Sequence, residues 1–500
     1  MQNGDSASDA RGLFGGSVTR AVALVLLLSV SAIWESGSLH SLTNPEIWGH
    51  LKLGSWILQS RSWPKFGLFS QADKTPWRDL NWTYDLLVAL AYRLLGLRAV
   101  PAMLVFFRVA LAAVTFVLAG GWRNFWGALA LSAMAQYVLA GIGPDAVCVS
   151  VILLGIELSL LLDTQNSGNL RRLYFLPVLF FFWANLGIGF IHGLALYILF
   201  FFAMAFEQLG RAGNWRWLQK PDAAIPLRSA GIVGITCVLA SLLNPSGYHA
   251  YSDFFAFQTS AVNSYLPGYA AMTFHQPRDY VLMLLAMTAF LFLGIRRCRD
   301  LFQFGLLIGC SSLAFHSQRD NWLLALAAVA CIGRAIPQRN EESSAQQTQI
   351  WKCQTLLPIA ASLVLVCLAF TVRVPRQREA LLAKIAARYP VRASDFIRQH
   401  QLPAPLFNCY AWGGFLTWYL PEYPVAIDSR RGLYPEQEEI DYFKAMKADI
   451  PYQAFPPMRL ARTLLFEKPG VMGEALRDLP GFQVAYEDEI SIVLLQQQKE

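Results

Sequence analysis

Long apolar segments recur along most of the chain, and they restrict it to a membrane fold. Four of them, at 18–34, 99–119, 144–163 and 190–209, approach the roughly 20 residues that an α-helix needs to cross a bilayer. Hydrophobic residues supply 55% of the sequence and charged residues only 15%, a balance too apolar for a water-soluble protein of this size. We therefore predict a polytopic α-helical membrane protein.

Further apolar runs bring the predicted number of transmembrane helices to about eleven. They lie at 122–140, 173–188, 229–243, 279–296, 301–316, 320–336 and 353–373. The first run of the chain follows Arg11 and Arg20 and has no small-residue cleavage site behind it, so we expect a signal anchor with the N-terminus in the cytoplasm. The predicted domains are a cytoplasmic tail at 1–17, a transmembrane domain at 18–373 with a first outer loop at 35–98, and an extracytoplasmic domain at 374–500.

A twelfth apolar stretch, 81–97, is either an ordinary short span or an interfacial helix on the outer face. As a span it would put the C-terminal domain in the cytoplasm. With eleven spans, the basic residues that follow the apolar runs, among them Arg171, Arg172, Arg297 and Arg334, all fall on one side, as the positive-inside rule requires. We therefore predict an interfacial helix and a C-terminal domain outside. The net charge of +7 then reflects topology, and nucleic acid is not expected as a partner.

Polar side chains concentrate at the predicted outer ends of the spans. An ionisable group at the membrane edge is costly unless it is solvated, paired or functional, so this clustering on one side indicates a cavity that opens outward. The residues concerned are Glu46, His50, Asp79, Trp82, Asp85, Asp145, Asn185, His192, Asn244, His275, Arg319 and Asp320.

Two acidic residues in this group have both a chemical and a structural interpretation. Glu46 follows Pro45 at a predicted helix start, and Asp145 follows Pro144 at the start of a span, places where an acidic residue favours the helix dipole. Two carboxylates from different outer loops can also hold a hard cation such as Mg²⁺ or Mn²⁺. His50 lies four residues after Glu46 on the same helical face, where the two could share a proton or a cation.

Arg319 and His192 leave the same two possibilities open. A guanidinium binds phosphate oxygens bidentately, which suits Arg319 to a phosphate-binding role, whereas a bridge to Asp320 or Asp145 would be purely structural. His192 lies in an apolar run, where it either contacts substrate or packs as a buried histidine.

Together these features resemble the integral-membrane glycosyltransferases of GT-C fold, which take sugars from polyprenyl-phosphate carriers. Glu46 looks like the acidic residue that follows their first span, 81–97 is similar to their juxtamembrane helices, and Gly143-Pro144-Asp145 resembles the Pro-Asp that opens a later span. A narrower similarity to a group of bacterial membrane proteins placed with these transferases runs through Glu46–Gly54, Asn81-Trp82, Trp183-Ala184-Asn185, Asn244–Gly247 and 408–434. The sequence departs from the pattern in having Glu rather than Asp in the first loop and Gly49 in place of an aromatic residue.

The resemblance implies a sugar transfer at the outer face of a bacterial inner membrane, within the cell envelope. The donor would be a polyprenyl-phosphate-linked sugar among the membrane lipids, and the acceptor a lipid, glycan or protein. Glu46 would act as base or metal ligand, Asp145 as the second carboxylate and metal ligand, Arg319 as phosphate clamp, and His50 as a further catalytic group. Substrate contacts are expected from Asn185, His192 and Trp82.

Two other functions remain open. A non-catalytic assembly or binding protein of the same fold would keep the architecture with a degenerate site. A transporter or flippase would also need many spans, but such proteins carry charges near mid-membrane and often inverted repeats, whereas this chain concentrates its polarity at one edge.

The chain after residue 373 predicts a small α/β domain. Helices are expected at 376–389 and 412–420, strands at 405–408 and 425–428, and a hairpin from 482–486 and 490–495. Asp428 and Arg430 follow a predicted strand, at the edge where open sheets bind ligands. We therefore expect them to bind acceptor or glycan, the alternative being a structural Asp/Arg network.

Overall fold

The computed structural model describes residues 5–212, 225–336 and 345–497. The first part of the chain is helical throughout and consists of α1 (Asp5–Ser38), α2 (Glu46–Ser60), α3 (Trp82–Leu95), α4 (Ala99–Leu118), α5 (Phe125–Val138), α6 (Ala146–Ser167), α7 (Leu176–Leu186), α8 (Phe190–Ala212), α9 (Leu227–Ser241), α10 (His249–Thr259), α11 (Pro277–Ile295), α12 (Leu301–His316), α13 (Asn321–Ala335) and α14 (Ala345–Arg373). The tail predicted at 1–17 is already helical from Asp5, and residues 1–4 lie outside the described part.

Each predicted span falls on one of these helices. Among the described residues, six segments are long and apolar enough to cross a membrane: Val18–Ser38, Trp82–Leu118, Ala146–Ser167, Phe190–Gly210, Pro277–Ile295 and Leu356–Arg373. The second of them joins α3 to α4. Two further apolar helices, α9 and α12, are shorter. The multi-pass architecture is confirmed, while the number of eleven spans stays a prediction.

The helix α13 lies at the centre of the bundle. All its residues from Trp322 to Gly333 are buried, as expected of a helix that is apolar on every side. Around it, large apolar side chains such as Phe106 of α4, Phe202 of α8 and Leu357 of α14 point away from the protein. An apolar outer surface on a packed helical bundle is what contact with lipid requires.

The predicted outer loops meet at one end of the bundle together with the C-terminal domain. In the first loop, the Gln71 N–H donates to the Val425 carbonyl at 2.9 Å. A later loop reaches the same domain through the Ala261 N–H, which donates to Glu436 Oε1 at 2.5 Å. The Gln318 N–H donates to the Ala270 carbonyl at 3.0 Å and joins two outer loops to each other. These hydrogen bonds join the outer loops to one another and to the C-terminal domain.

The C-terminal domain has the predicted α/β character. It contains α15 (Arg378–Ile385), α16 (Val391–Gln399), β1 (Leu406–Asn408), α17 (Tyr410–Tyr419), α18 (Glu436–Met446), α19 (Pro456–Leu460), β2 (Thr463–Glu467), α20 (Val471–Arg477), β3 (Phe482–Glu487) and β4 (Ser491–Gln496). The sheet order is β1-β2-β4-β3, with β1 parallel to β2 and the other pairs antiparallel. The predicted hairpin is β3–β4, and the predicted helix at 376–389 is shorter, ending at Ile385.

The strand predicted at 425–428 is wrong. This buried segment lies outside the sheet and forms only an isolated parallel bridge between Val425 and Ser70 of the first outer loop. The side chain of Asn408 takes the place of a neighbouring strand and hydrogen-bonds the backbone of this segment. Its Oδ1 accepts from the Ala426 N–H and its Nδ2 donates to the Ile427 carbonyl, both at 2.8 Å. The segment thus connects the two domains rather than extending the sheet.

Candidate functional site

Glu46 is presented by the start of α2, where the sequence pattern placed it. The Asn44 side chain caps this helix, accepting from the N–H groups of Glu46 at 2.9 Å and Ile47 at 3.3 Å. Two residues on, the buried Trp48 ring stacks on Trp418 of α17 with ring centroids 4.7 Å apart. The buried aromatic ring fixes α2 against the C-terminal domain, while Glu46 itself is exposed.

Asp145 caps α6 and also faces the other predicted catalytic residues. Its Oδ1 accepts from the N–H groups of Val147 at 2.9 Å and Cys148 at 3.3 Å, which leaves the second oxygen to meet a ligand. Burial and, to a smaller extent, the charge of Glu46 raise the pKa of the Asp145 carboxyl to about 7, against the lowering effects of His50 and Arg319. The structure therefore brings Glu46, His50 and Arg319 within electrostatic reach of Asp145.

The two loops that carry Glu46 and Asp145 are in direct contact. A Cβ atom on Gly143 would lie 2.0 Å from Nδ2 of Asn44, so a larger residue at position 143 would have to displace the Asn44 side chain. The Pro-Asp turn thus packs on the residue that caps α2.

Arg319 lies at the same end and is exposed. The pKa of its guanidinium is raised overall: burial lowers this pKa, but Tyr269, Glu46 and Asp145 together raise it by more. Nη1 donates to the Tyr269 hydroxyl, and the guanidinium carbon lies 5.1 Å from that ring's centroid. Among the described ion pairs there is none between Arg319 and Asp320 or Asp145, so the guanidinium is not committed to a carboxylate.

His50 has a carboxylate partner other than Glu46. Its Nδ1 lies 2.6 Å from Oδ1 of the fully buried Asp85 in α3, while the imidazole itself keeps 12% of its surface exposed. Asp79 adjoins this pair, and burial together with the charge of Asp85 raises the pKa of the Asp79 carboxyl well above its usual value. A carboxyl group behind an imidazole fixes the tautomer and the orientation of the ring. Sequence reasoning did not assign Asp85 this role, because its position on α3 indicated only a polar face.

Trp82, Asn185 and His192, which were predicted to contact substrate, make contacts with other residues of the protein. Trp82 Nε1 donates to Asn185 Oδ1 at 3.1 Å, and the Asn185 amide donates to the carbonyls of Phe181 at 2.8 Å and Leu243 at 3.0 Å. The His192 ring packs edge-on between Phe254 and Trp322. No contact of theirs reaches Glu46 or Asp145 within the described part of the chain, and their role as substrate contacts stays a prediction.

Asp428 and Arg430 pair with each other. Arg430 donates through Nε and Nη2 to both carboxylate oxygens of Asp428, with the Nε bonds at 3.0 and 2.9 Å. Its Nη1 donates to the Leu68 carbonyl of the first outer loop at 2.7 Å, and its guanidinium stacks over Trp77 at 5.4 Å. This geometry joins the C-terminal domain to the first outer loop and corresponds to the Asp/Arg network named above as the alternative.

Few side chains at this site could coordinate a metal ion. Among the described residues no group of three or more His, Cys, Asp or Glu side chains could hold one. Glu46 and Asp145 offer two oxygen ligands, which fits Mg²⁺ or Mn²⁺ where water and a phosphate complete the coordination. The expected cation thus stays a prediction.

Comparison with known proteins identifies the fold. No family model matches the sequence, and no curated protein matches it either. Among solved structures, ArnT from Cupriavidus metallidurans bound to undecaprenyl phosphate matches with a TM-score of 0.50 and 13% identity, over 97% of this chain and 98% of that one. The archaeal oligosaccharyltransferase AglB from Archaeoglobus fulgidus, in complex with an inhibitory peptide and a dolichol-phosphate, matches with a TM-score of 0.52 and 10% identity, over 91% of this chain and 69% of that one.

These matches define the class. The chain is a multi-pass membrane protein with the GT-C fold, and the resemblance drawn from its sequence motifs is confirmed at the level of the fold. Of these structural neighbours, ArnT is bound to undecaprenyl phosphate, and the oligosaccharyltransferase AglB is in complex with a dolichol-phosphate.

Proposed function

We propose that the protein transfers a sugar from a polyprenyl-phosphate donor to an acceptor at the end of the bundle that carries the C-terminal domain. The observation that carries the proposal is the convergence of Glu46, Asp145, His50 and Arg319 on one site. They come from three separate loops, and packing of the membrane helices alone does not require them to meet. A transporter is not favoured, because this site lies at one end of the bundle.

The arrangement supplies the chemistry that such a transfer needs. A carboxylate, Glu46 or Asp145, takes the proton from the acceptor hydroxyl or amine while the oxygen or nitrogen of that group attacks the anomeric carbon of the sugar. The bond from this carbon to the phosphate oxygen breaks, and the lipid phosphate leaves with the electron pair. Arg319 offsets the negative charge that grows on the departing oxygen.

A divalent cation belongs to the same proposal. Glu46 and Asp145 would hold Mg²⁺ or Mn²⁺ beside Arg319, and when bound the cation would neutralise part of the phosphate charge. His50, oriented by Asp85, would assist proton movement at the acceptor side.

We also propose the orientation that this function requires. The site would face the outside of a bacterial inner membrane, with the N-terminus in the cytoplasm and the C-terminal domain extracytoplasmic. The basic loops at the opposite end support this orientation through the positive-inside rule. Lipid-linked sugars and the acceptor would then meet at the outer leaflet.

The test is transfer by the full chain in lipid nanodiscs. Labelled undecaprenyl-phosphate sugars would be offered with extracted envelope lipids and glycans, and label moved to acceptor measured for the wild type, Glu46→Gln and Asp145→Asn. Both variants should lose more than about 100-fold, as removal of a general base does. Asparagine also caps helices well, so Asp145→Asn should fold. Asp73→Asn removes an exposed carboxylate of the same first loop and serves as the matched control.

Two outcomes would contradict the proposal. Equal transfer by wild type, Glu46→Gln and Asp145→Asn would remove these residues from catalysis. Absence of transfer with every donor, together with unchanged binding of undecaprenyl phosphate in the variants, would favour the non-catalytic assembly or binding protein.

A further inference from the structure

Arg431 of the C-terminal domain extends toward the loops around the candidate site. Its Nη2 donates to Asn263 Oδ1 at 2.9 Å and to the Phe257 carbonyl at 3.4 Å, both in the loop between α9 and α11. Its own carbonyl accepts from Trp77 Nε1 at 3.1 Å. Arg431 is therefore held in place by two outer loops, with its guanidinium at their junction.

The remaining donors of this guanidinium are unused. Within the described part of the chain, Nε and Nη1 of Arg431 are buried and have no hydrogen-bond partner. The neighbouring Arg430 differs, because Asp428 and a carbonyl engage its nitrogens. A buried cation with unpaired N–H groups is costly, and an anion that accepts from both would relieve that cost.

Glu439, an acidic residue that Arg431 influences electrostatically, does not meet this need. Burial raises the pKa of the Glu439 carboxyl to about 7, against the lowering effect of Arg431. Near neutral pH this carboxyl therefore carries only part of a charge. Its Oε1 is also buried without a hydrogen-bond partner among the described residues, so Arg431 and Glu439 are close but not joined.

Tyr269 links Arg431 to Arg319. The guanidinium carbon of Arg431 lies 5.4 Å from the Tyr269 ring centroid, and that of Arg319 lies 5.1 Å from the same centroid. Two cations thus share one aromatic ring, one from the membrane domain and one from the C-terminal domain. Two like charges on one ring repel each other, and an anion that lies near both would offset that repulsion.

We infer that Arg431 forms, with Arg319, a second anion subsite that binds a phosphate-type group of the substrate in addition to the leaving phosphate. The inference rests on the proposed function and extends it by giving the substrates at least two anionic groups. Arginine suits this role because its planar fork binds two phosphate oxygens at once. The second group has two possible sources, a diphosphate on the donor lipid or an anionic group on the acceptor.

Lipid binding distinguishes these sources. Undecaprenyl phosphate and undecaprenyl diphosphate would be titrated against the full chain in phosphatidylcholine nanodiscs, for the wild type and Arg431→Gln. A donor diphosphate predicts that the wild type binds the diphosphate about tenfold more tightly than the monophosphate, and that Arg431→Gln abolishes this difference. An acceptor anion predicts equal lipid affinities, with inorganic phosphate binding to the lipid-saturated wild type and not to Arg431→Gln.

Two control variants separate charge from structure. Arg459→Gln removes an exposed guanidinium of the same domain and should change nothing. Asn263→Ala removes one of the two partners of Nη2 but keeps the guanidinium, and this variant should retain at least half of the wild-type difference in binding. The inference is overturned if Arg431→Gln alters neither binding measurement, or if Asn263→Ala reproduces its loss in full.

Failure of the proposed function has a different signature. In that case neither lipid binds the wild type, or Arg319→Gln leaves lipid binding unchanged. Binding that depends on Arg319 but not on Arg431 would leave the proposed function standing and remove only the second subsite.

Discussion

Asp145 combines a structural and a chemical role in one carboxyl. Its Oδ1 caps α6 through two backbone N–H groups, and burial with the nearby Glu46 charge raises its pKa to about 7. An ordinary aspartate is fully ionised at neutral pH, whereas this one exchanges a proton there. The residue that holds the helix start is thus also suited to accept a proton from the acceptor or to bind a cation.

The raised pKa gives transfer a defined pH dependence. Below about 7 the Asp145 carboxyl is protonated and can neither act as a base nor bind a cation. We therefore expect the transfer rate of the wild type to rise about tenfold for each pH unit below 7 and to level off above it. A pH–rate profile of the full chain in nanodiscs measures this. A midpoint near 4, the value of an exposed aspartate, would contradict the role given to Asp145.

The His50–Asp85 pair makes a second prediction. Asp85→Asn keeps the size of the buried side chain but replaces the carboxyl group that faces Nδ1 of His50 with an amide. We expect a loss of transfer of about tenfold or more, and His50→Gln should lose a similar amount, since the two groups act together. The double variant should then lose little more than either single one. Additive losses in the double variant would show that the two groups act independently.

At the scale of elements, α2 is held by close backbone approaches on two sides. A Cβ on Gly54 would lie 1.9 Å from the Asp85 carbonyl of α3. On the other side, a Cβ on Gly414 of α17 would lie 2.9 Å from the Pro45 carbonyl. These two glycines allow α2 to contact both the membrane domain and the C-terminal domain, which fixes the position of Glu46 and His50.

Substitution of these glycines tests the packing. Gly54→Ala should push α2 away from α3 and lower the free energy of unfolding by about 1–3 kcal/mol, the usual cost of overpacking. Gly49→Ala is the matched control on the same helix, because a Cβ there meets no atom within 4 Å. It should leave stability unchanged or raise it by up to about 1 kcal/mol, since alanine is the better helix former. Thermal unfolding in detergent compares the two, and equal losses would contradict the close α2–α3 contact.

The sequence predicted helices better than it predicted the small sheet. Long apolar runs predict membrane helices directly. The Pro-Glu and Pro-Asp pairs also predicted the starts of α2 and α6 correctly. Strand β2, Thr463–Glu467, was not predicted, because its run of three apolar residues is too short to show a distinctive period. Val425 to Asp428 has a strand-like composition, but the Asn408 side chain and the first outer loop take its hydrogen bonds. Such long-range pairings leave no local pattern.

The candidate site was partly predictable for the same reason. Glu46, Asp145, His50 and Arg319 could be found because a charge beside an apolar run is conspicuous. Arg431 and Tyr269 could not, since each lies in a polar loop where arginine and tyrosine are common. Only the fold brings Arg431 of the C-terminal domain and Arg319 of the membrane domain to the same ring.

At the scale of the whole molecule, the two domains share one hydrophobic core. Trp48 of α2 packs against Tyr389, Phe415 and Trp418 of the C-terminal domain, with ring centroids 4.7 to 6.0 Å away. The ion pair of Arg430 with Asp428 and its bond to the Leu68 carbonyl reinforce the same interface. The C-terminal domain is therefore packed directly against α2, the helix that carries Glu46 and His50, and is not joined to the membrane domain by a flexible linker alone.

The orientation of this assembly in the membrane is open to a direct test. The proposed topology puts α18 outside and the α6–α7 turn in the cytoplasm, whereas a twelve-span chain would place the C-terminal domain inside. Gln437 and Ser167 are both exposed, and Cys367 is the exposed cysteine among those described, so Gln437→Cys and Ser167→Cys would each be made in a Cys367→Ser background. A membrane-impermeant maleimide should label Gln437→Cys in intact spheroplasts and Ser167→Cys only after permeabilisation. Labelling of both before permeabilisation, or of Ser167→Cys alone, would reject the proposed topology, and with it a site that meets its substrates at the outer leaflet.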